Sequence, residues 1–150
     1  MLWILLTVGA TVFLILAAGV AYVRLNARSR LAISADVPGR VDVGSRVHLR
    51  VHVSNPTRSR QVFEILSIDN TFLKQFKLVG LSPQGKGMGE ALGSRGFQYG
   101  TALGPDEAIE VRVVLEATTA GLAKGEVSAV NSRLVGRSTA IATQVVESAS

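Results

Sequence analysis

The chain contains no cysteine. This absence excludes disulfide bonds, thiolate metal ligands, a cysteine nucleophile and a lipoprotein anchor. It leaves the compartment open, because oxidising compartments permit disulfides without requiring them. Aromatic residues are also scarce, at 5% of 150 residues. An apolar run occupies the N-terminus, and the remaining residues suffice for one domain with a single core.

Charged side chains are absent between Leu2 and Val23. As a helix these residues would span about 33 Å, which matches a bilayer hydrocarbon core of about 30 Å. Trp3 and Tyr22 lie near the two ends, where amphipathic rings prefer the membrane interface. The sequence therefore predicts a transmembrane helix over residues 1–23, and with it a single-pass protein bound to the lipid bilayer.

A cleavable secretory signal peptide is the alternative interpretation of this run, with Gly19-Val20-Ala21 as the small-residue cleavage site. A signal peptide requires a basic n-region and an apolar stretch of about 7 to 15 residues. Only Met1 and Leu2 precede Trp3, and the apolar stretch is longer. The sequence favours an uncleaved anchor.

Small side chains recur within the apolar run at spacings that place them on one side of a helix. Ala17, Ala18 and Ala21 are the candidate helix-packing residues, because small residues allow two membrane helices to approach closely. Small residues are also common in membrane helices that have no specific partner. These residues therefore indicate either packing against another membrane helix or a helix without a specific partner.

Three arginines follow the apolar run: Arg24, Arg28 and Arg30. They define a basic juxtamembrane linker over residues 24–30, and basic flanks tend to remain in the cytoplasm. They also contribute three units of the formal net charge of +5, so the rest of the chain is nearly balanced. This distribution argues against a nucleic-acid-binding protein, whose basic patch would lie on the folded domain.

Residues 31–147 have the pattern of an all-β domain, and residues 148–150 form a short tail. In Arg46–Val53, four apolar residues alternate with basic or imidazole side chains, as in a half-buried strand. A single helical turn over Thr71–Phe76 would place Phe72 and Phe76 on the same side. About seven strands are expected in total, and the segments that indicate them include Leu31–Val37, Arg46–Val53, Gln61–Ile68, Ile109–Leu115, Val127–Val130 and Thr139–Val146.

Four short motifs in this domain resemble those of a known group of modules. They are Val43-Gly44-Ser45, Val51-His52-Val53-Ser54-Asn55, Leu103-Gly104-Pro105-Asp106-Glu107 and Ala120-Gly121. Together they resemble the immunoglobulin-like modules of bacterial and archaeal surface proteins, of the CARDB, NEW3 and DUF11-like kind. The resemblance implies an immunoglobulin-like β-sandwich that serves as a spacer or binding platform rather than an enzyme. It also implies an extracytoplasmic domain, against the flanking charges, so the side of the membrane stays open.

The only two histidines, His48 and His52, do not predict a metal site. Four residues apart on a strand, their Cα atoms are separated by about 13 Å, too far for both to reach one ion at about 2 Å. They belong instead to an outward basic stripe that is a candidate for binding a partner protein or anionic lipid. The alternative is a solvated sheet face paired with Glu64, Glu110 or Glu126. The stripe comprises Arg46, His48, Arg50 and His52, followed by Arg58 and Arg60.

A glycine-rich segment over residues 82–96 is the other candidate for partner binding, through Lys86 and Arg95. It differs from a phosphate-binding loop because Lys86 is followed by Gly87 instead of serine or threonine and a helix. We expect either a flexible connection or a loop that orders on a partner.

Nothing in the sequence predicts catalysis or a cofactor. The carboxylates are scattered among turns and outward strand positions, and no serine lies in a nucleophile-elbow context. The sequence therefore predicts a membrane-anchored, non-enzymatic protein-interaction module. An accessory structural subunit of a larger membrane complex is the alternative.

Overall fold

The computed structural model describes residues 15–16 and 30–148. Except for Ile15 and Leu16, the predicted transmembrane helix lies outside the described residues. The same holds for its named residues and most of its linker, namely Trp3, Ala17, Ala18, Ala21, Tyr22, Arg24 and Arg28. Among the described residues, no helix is long and apolar enough to span a bilayer.

Residues 30–148 form ten strands and one short helix, so the expected all-β class is confirmed but the expected number of about seven strands is too low. The strands are β1 (Ala32–Asp36), β2 (Arg40–Asp42), β3 (Arg46–Ser54), β4 (Gln61–Asp69), β5 (Phe76–Ser82), β6 (Gly87–Ala91), β7 (Ser94–Leu103), β8 (Ala108–Ala117), β9 (Gly121–Asn131) and β10 (Gly136–Val146); the helix α1 (Asn70–Leu73) lies between β4 and β5.

The strands form two sheets, as the predicted β-sandwich requires. One sheet has four strands in the order β1-β3-β8-β5, and the other has six in the order β2-β10-β9-β4-β7-β6. The chain passes from the first sheet to the second at Pro38-Gly39, where Thr143 Oγ1 donates to the Pro38 carbonyl and Gln144 N donates to Gly39 O at 2.9 Å. β2 then pairs with β10 in parallel. This division of the first strand between two sheets is typical of immunoglobulin-like folds.

The core lies between the two sheets, and the alternation in β3 supplies one side of it. Val47, Leu49, Val51 and Val53 are at most 1% exposed, whereas the residues between them face solvent. The largest side chains from the opposite sheet are aromatic, and the rings of Phe63 and Tyr99 stack with their centroids 5.3 Å apart. Phe72 of α1 stacks on Phe76 at 5.0 Å, so the two rings do lie on the same side. The helical turn predicted over Thr71–Phe76 is shorter than expected, because α1 ends at Leu73 and Phe76 begins β5.

Gly125 permits α1 to pack closely on β9. A Cβ atom at this position would lie 2.9 Å from Asp69 Cβ and 3.1 Å from Phe72 Cβ, both of which are rigidly held. We expect Gly125→Ala to lower the free energy of unfolding by about 2 kcal/mol, because overpacking forces the helix away from the sheet. Urea unfolding measures the change. The matched variant Gly39→Ala has no atom within 4 Å of its Cβ and should be neutral; equal losses in the two variants would contradict this explanation.

The glycine-rich segment is more ordered than expected. Residues 82–96 contain the end of β5, all of β6, a tight turn at Leu92-Gly93 and the start of β7. The prediction of an unstructured connection is wrong. The strand β6 could not be predicted because Gly87 and Gly89 carry no side chains, so its sequence shows no alternation of apolar and polar residues. Backbone pairing with β7 defines β6 instead, with Gly89 opposite Gly96.

Candidate interaction surface

The predicted basic stripe is present on β3, but it is not uniformly basic. Arg46, His48, Arg50 and His52 are all exposed on the outer face of the four-stranded sheet. Residues directly opposite each other on paired strands share a face. Arg46 lies opposite Glu116, His52 opposite Glu110, and Arg50 opposite both Asp36 and Arg112. The face therefore mixes both signs of charge.

The other predicted contact residues lie elsewhere. Arg58 and Arg60 occupy the β3–β4 loop at one end of the sandwich, Lys86 precedes β6, and Arg95 of β7 forms an ion pair with Glu90 at 2.9 Å. The eight predicted partner-binding residues thus do not form one surface. Of the three acids expected beside the stripe, only Glu110 is there, because Glu64 and Glu126 belong to strands of the other sheet.

A groove of about 860 Å³ crosses the outer face of the six-stranded sheet, over strands that carry none of the basic stripe. The strand register shows which residues lie side by side on this face. One row across β9, β4, β7 and β6 consists only of small residues: Ser128, Ser67, Gly96 and Gly89. The next row contains Val130 and Ile65. The floor is thus shallow and partly apolar, so the backbone of another molecule can approach closely.

Three exposed apolar side chains line this groove. Leu92 is 105% exposed, Leu134 is 75% exposed and Met88 is 64% exposed. Leu92 is at the β6–β7 turn and Leu134 is at the β9–β10 turn, so two hairpin tips contribute to one surface. An apolar surface grouped around a groove indicates an interaction site more strongly than scattered exposed leucines do.

Both leucines have backbone conformations that leucine disfavours. Leu92 has φ of 52° and Leu134 has φ of 60°, in the left-handed region. The turn Leu92-Gly93 has positive φ at both central positions, an arrangement that usually selects Asn-Gly. The left-handed conformation costs a non-glycine residue about 1 kcal/mol or more. Such strain concentrates at functional sites. The two leucines therefore stand at positions where folding stability favours asparagine or glycine.

Sequence reasoning missed this groove, although one signal was present. The dipeptide Leu92-Gly93 places an apolar residue where a tight turn favours asparagine. The row of small residues could not be found in the same way, because it joins four strands whose register only the structure provides.

Two buried asparagines hold loops at the end of the sandwich where β1 begins. Asn55 Nδ2 lies 2.7 Å from Ser59 O and 2.9 Å from Leu103 O, so it ties the β3–β4 loop to the β7–β8 turn. Asn131 Oδ1 accepts from Arg133 N at 3.0 Å and from Val135 N at 3.1 Å. Both loops are therefore fixed by side chains that are almost fully buried.

Chemically reactive arrangements are few in the described part of the chain. It has no group of three or more histidine or acidic side chains that could hold a metal ion. Burial raises the pKa of the Tyr99 phenol, and its hydroxyl donates to Pro83 O at 2.8 Å. This contact explains Tyr99 as a structural residue that ties β7 to the β5–β6 connection.

The fold defines the class of the domain as an immunoglobulin-like β-sandwich, and solved structures agree. Similar structures include a cohesin module from a family 33 glycoside hydrolase of Clostridium perfringens, with TM-score 0.53 and 11% identity over 80% of this chain and 99% of that chain. A CARDB domain from Pyrococcus furiosus, solved with di-metal ions, has TM-score 0.50 and 16% identity over 77% of this chain and 87% of that chain. No protein-family model matches the chain, and no curated protein matches it significantly.

These similarities establish the fold alone, because identity is below 25% in both comparisons. The resemblance to CARDB modules inferred from short motifs is supported at this level.

Proposed function

We propose that this chain is a membrane-anchored, non-enzymatic module that binds a partner protein through the groove on its six-stranded sheet. The observation that carries the proposal is the pair of exposed leucines, Leu92 and Leu134, held at positive φ beside one groove. Folding stability favours asparagine or glycine at both positions. Apolar contact with a partner supplies a reason for leucine.

The shape of the groove supports a partner segment with an extended backbone. Gly89 and Gly96 present no side chains above the floor, so an extended backbone can lie close to the sheet. Apolar side chains of that segment would contact Ile65 and Val130 below, and Leu92, Met88 and Leu134 around the groove. Burying such side chains contributes about 25 cal/mol per Å² of apolar area.

Site-specific photocrosslinking in intact cells tests the proposal. A photoreactive amino acid is placed at Leu92, at Leu134 or at Gln144, which is exposed on β10 and does not line the groove. We expect one discrete protein adduct from both leucine positions and none from Gln144. The adduct should survive replacement of residues 1–23 by an unrelated membrane span. Equal adducts at all three positions, or none at either leucine, would sink the proposal.

Filling the groove should abolish binding without unfolding the domain. Gly89 has open space around the position of its missing Cβ, so Gly89→Leu is sterically tolerated while its side chain projects over the small-residue floor. We expect at least a tenfold loss of the Leu92 adduct. Ala142→Leu on β10 is the matched control, because Ala142 is exposed but does not line the groove. Undiminished crosslinking in Gly89→Leu would place the partner elsewhere.

A further inference from the structure

A polar pocket of about 350 Å³ opens at the end of the sandwich where β1 begins. Its chemistry differs from that of the apolar groove. Three arginines and two serines are among its lining residues: Arg30, Arg60, Arg133, Ser59 and Ser132. No acidic side chain lines it. Guanidinium groups and hydroxyls are the side chains that bind phosphate oxygens most effectively.

The arginines in this pocket have no carboxylate partner within the described residues. The ion pairs of the described residues join Arg95 to Glu90 and Arg112 to Glu110, and none of these four residues lines the pocket. Glu107, on the adjoining β7–β8 turn, instead accepts a hydrogen bond from Gly104 N at 2.9 Å. None of the described carboxylates therefore forms an ion pair with the arginines of the pocket.

The backbone that carries these arginines is fixed in advance. Asn55 holds the loop containing Arg60 through Ser59 O, and Asn131 holds the turn containing Arg133 through the Arg133 amide. Loops fixed by buried side chains lose little entropy when they bind a ligand. The structure thus provides a preorganised anion site instead of a mobile basic loop.

We infer that this pocket binds a phosphate group, and that the source is the headgroup of an anionic phospholipid. The assignment of the source rests on the membrane anchor of the proposed function. Arg30 lies seven positions after Val23, and seven fully extended residue steps reach about 25 Å. A domain tethered so closely presents the end that carries Arg30 to the headgroups. Anionic lipids attract basic residues by about 1 kcal/mol each near the surface.

The test uses the full-length chain in lipid discs and the amide resonances of Ser59 and Ser132 as the readout. Discs of phosphatidylcholine are compared with discs that also contain phosphatidylserine, and inorganic phosphate is titrated separately into the phosphatidylcholine sample. We expect phosphatidylserine to shift both amides. The double variant Arg60→Gln and Arg133→Gln should bind about 30-fold more weakly. The double variant Arg40→Gln and Arg112→Gln removes the same charge on exposed residues outside the pocket and should bind normally.

Each other outcome overturns part of the inference. Shifts produced by inorganic phosphate alone would establish the pocket and overturn the lipid source. Shifts that persist in the Arg60→Gln and Arg133→Gln variant, or no shift in either titration, would overturn the pocket. Failure of the chain to enter the discs would refute the anchor in the proposed function, and the phosphate titration of the free chain would still test the pocket.

Discussion

A chain carrying both Leu92→Asn and Leu134→Asn is expected to be more stable than the parent by about 1 to 2 kcal/mol, yet to lose most of its partner. Asparagine tolerates positive φ, which costs leucine about 1 kcal/mol or more at each position. Both side chains are exposed, so no core packing is lost. The partner, however, loses two apolar contacts beside its groove. Stability and binding should therefore change in opposite directions.

Urea unfolding and crosslinking from the groove residue Met88 measure the two effects on the same samples. Leu122→Asn is the matched control, because Leu122 is 57% exposed on β9, has no positive φ and does not line the groove. It should change neither quantity. If the double variant were destabilised, strain at the two turns would not be the reason for the exposed leucines. If it retained its adduct, the groove would not be the contact surface.

The sequence predicted the fold best where side-chain alternation and burial coincide. β3 alternates without a break because one face is in the core and the other is in solvent, and its predicted bounds agree with the structure to within one residue. β8 was identified for the same reason. β5 and β7 escaped because glycines at positions 80, 96 and 100 interrupt their patterns, and a bulge in β5 shifts the register at Leu78.

Interaction surfaces were predicted less well than strands. The basic stripe was found from one strand alone, and its acidic neighbours Asp36 and Glu116 became apparent only with the pairing of β1 and β8. The groove and the arginine pocket both combine residues distant in sequence. Arg60 and Arg133 converge only because the β3–β4 loop, which connects the two sheets, meets the β9–β10 hairpin turn at one end of the sandwich. A single sequence contains the side chains of such a site but not their proximity.

Asn55→Ala is expected to lower the free energy of unfolding by about 3 kcal/mol, more than Gly125→Ala. Asn55 is fully buried, and its amide lies within hydrogen-bond distance of three carbonyls, those of Ser59, Leu103 and Gly104. Its Oδ1 accepts from Thr57 N at 3.0 Å. Alanine would remove all of these hydrogen bonds from a fully buried position, and each lost bond costs about 1 kcal/mol. Thermal unfolding should shift by about 10 °C or more.

Two further variants separate the contributions of the Asn55 side chain. Asn55→Asp keeps the Oδ1 acceptor but turns a carboxylate towards three carbonyl oxygens, so it should be at least as destabilising as alanine. Thr57→Ala removes only the partly exposed hydroxyl and should cost less than about 1 kcal/mol. Near-normal stability of Asn55→Asp would show that the amide donors do not hold the loops together. Because the same loop positions Arg60, either Asn55 variant should also weaken phosphate binding, an effect that Thr57→Ala should not produce.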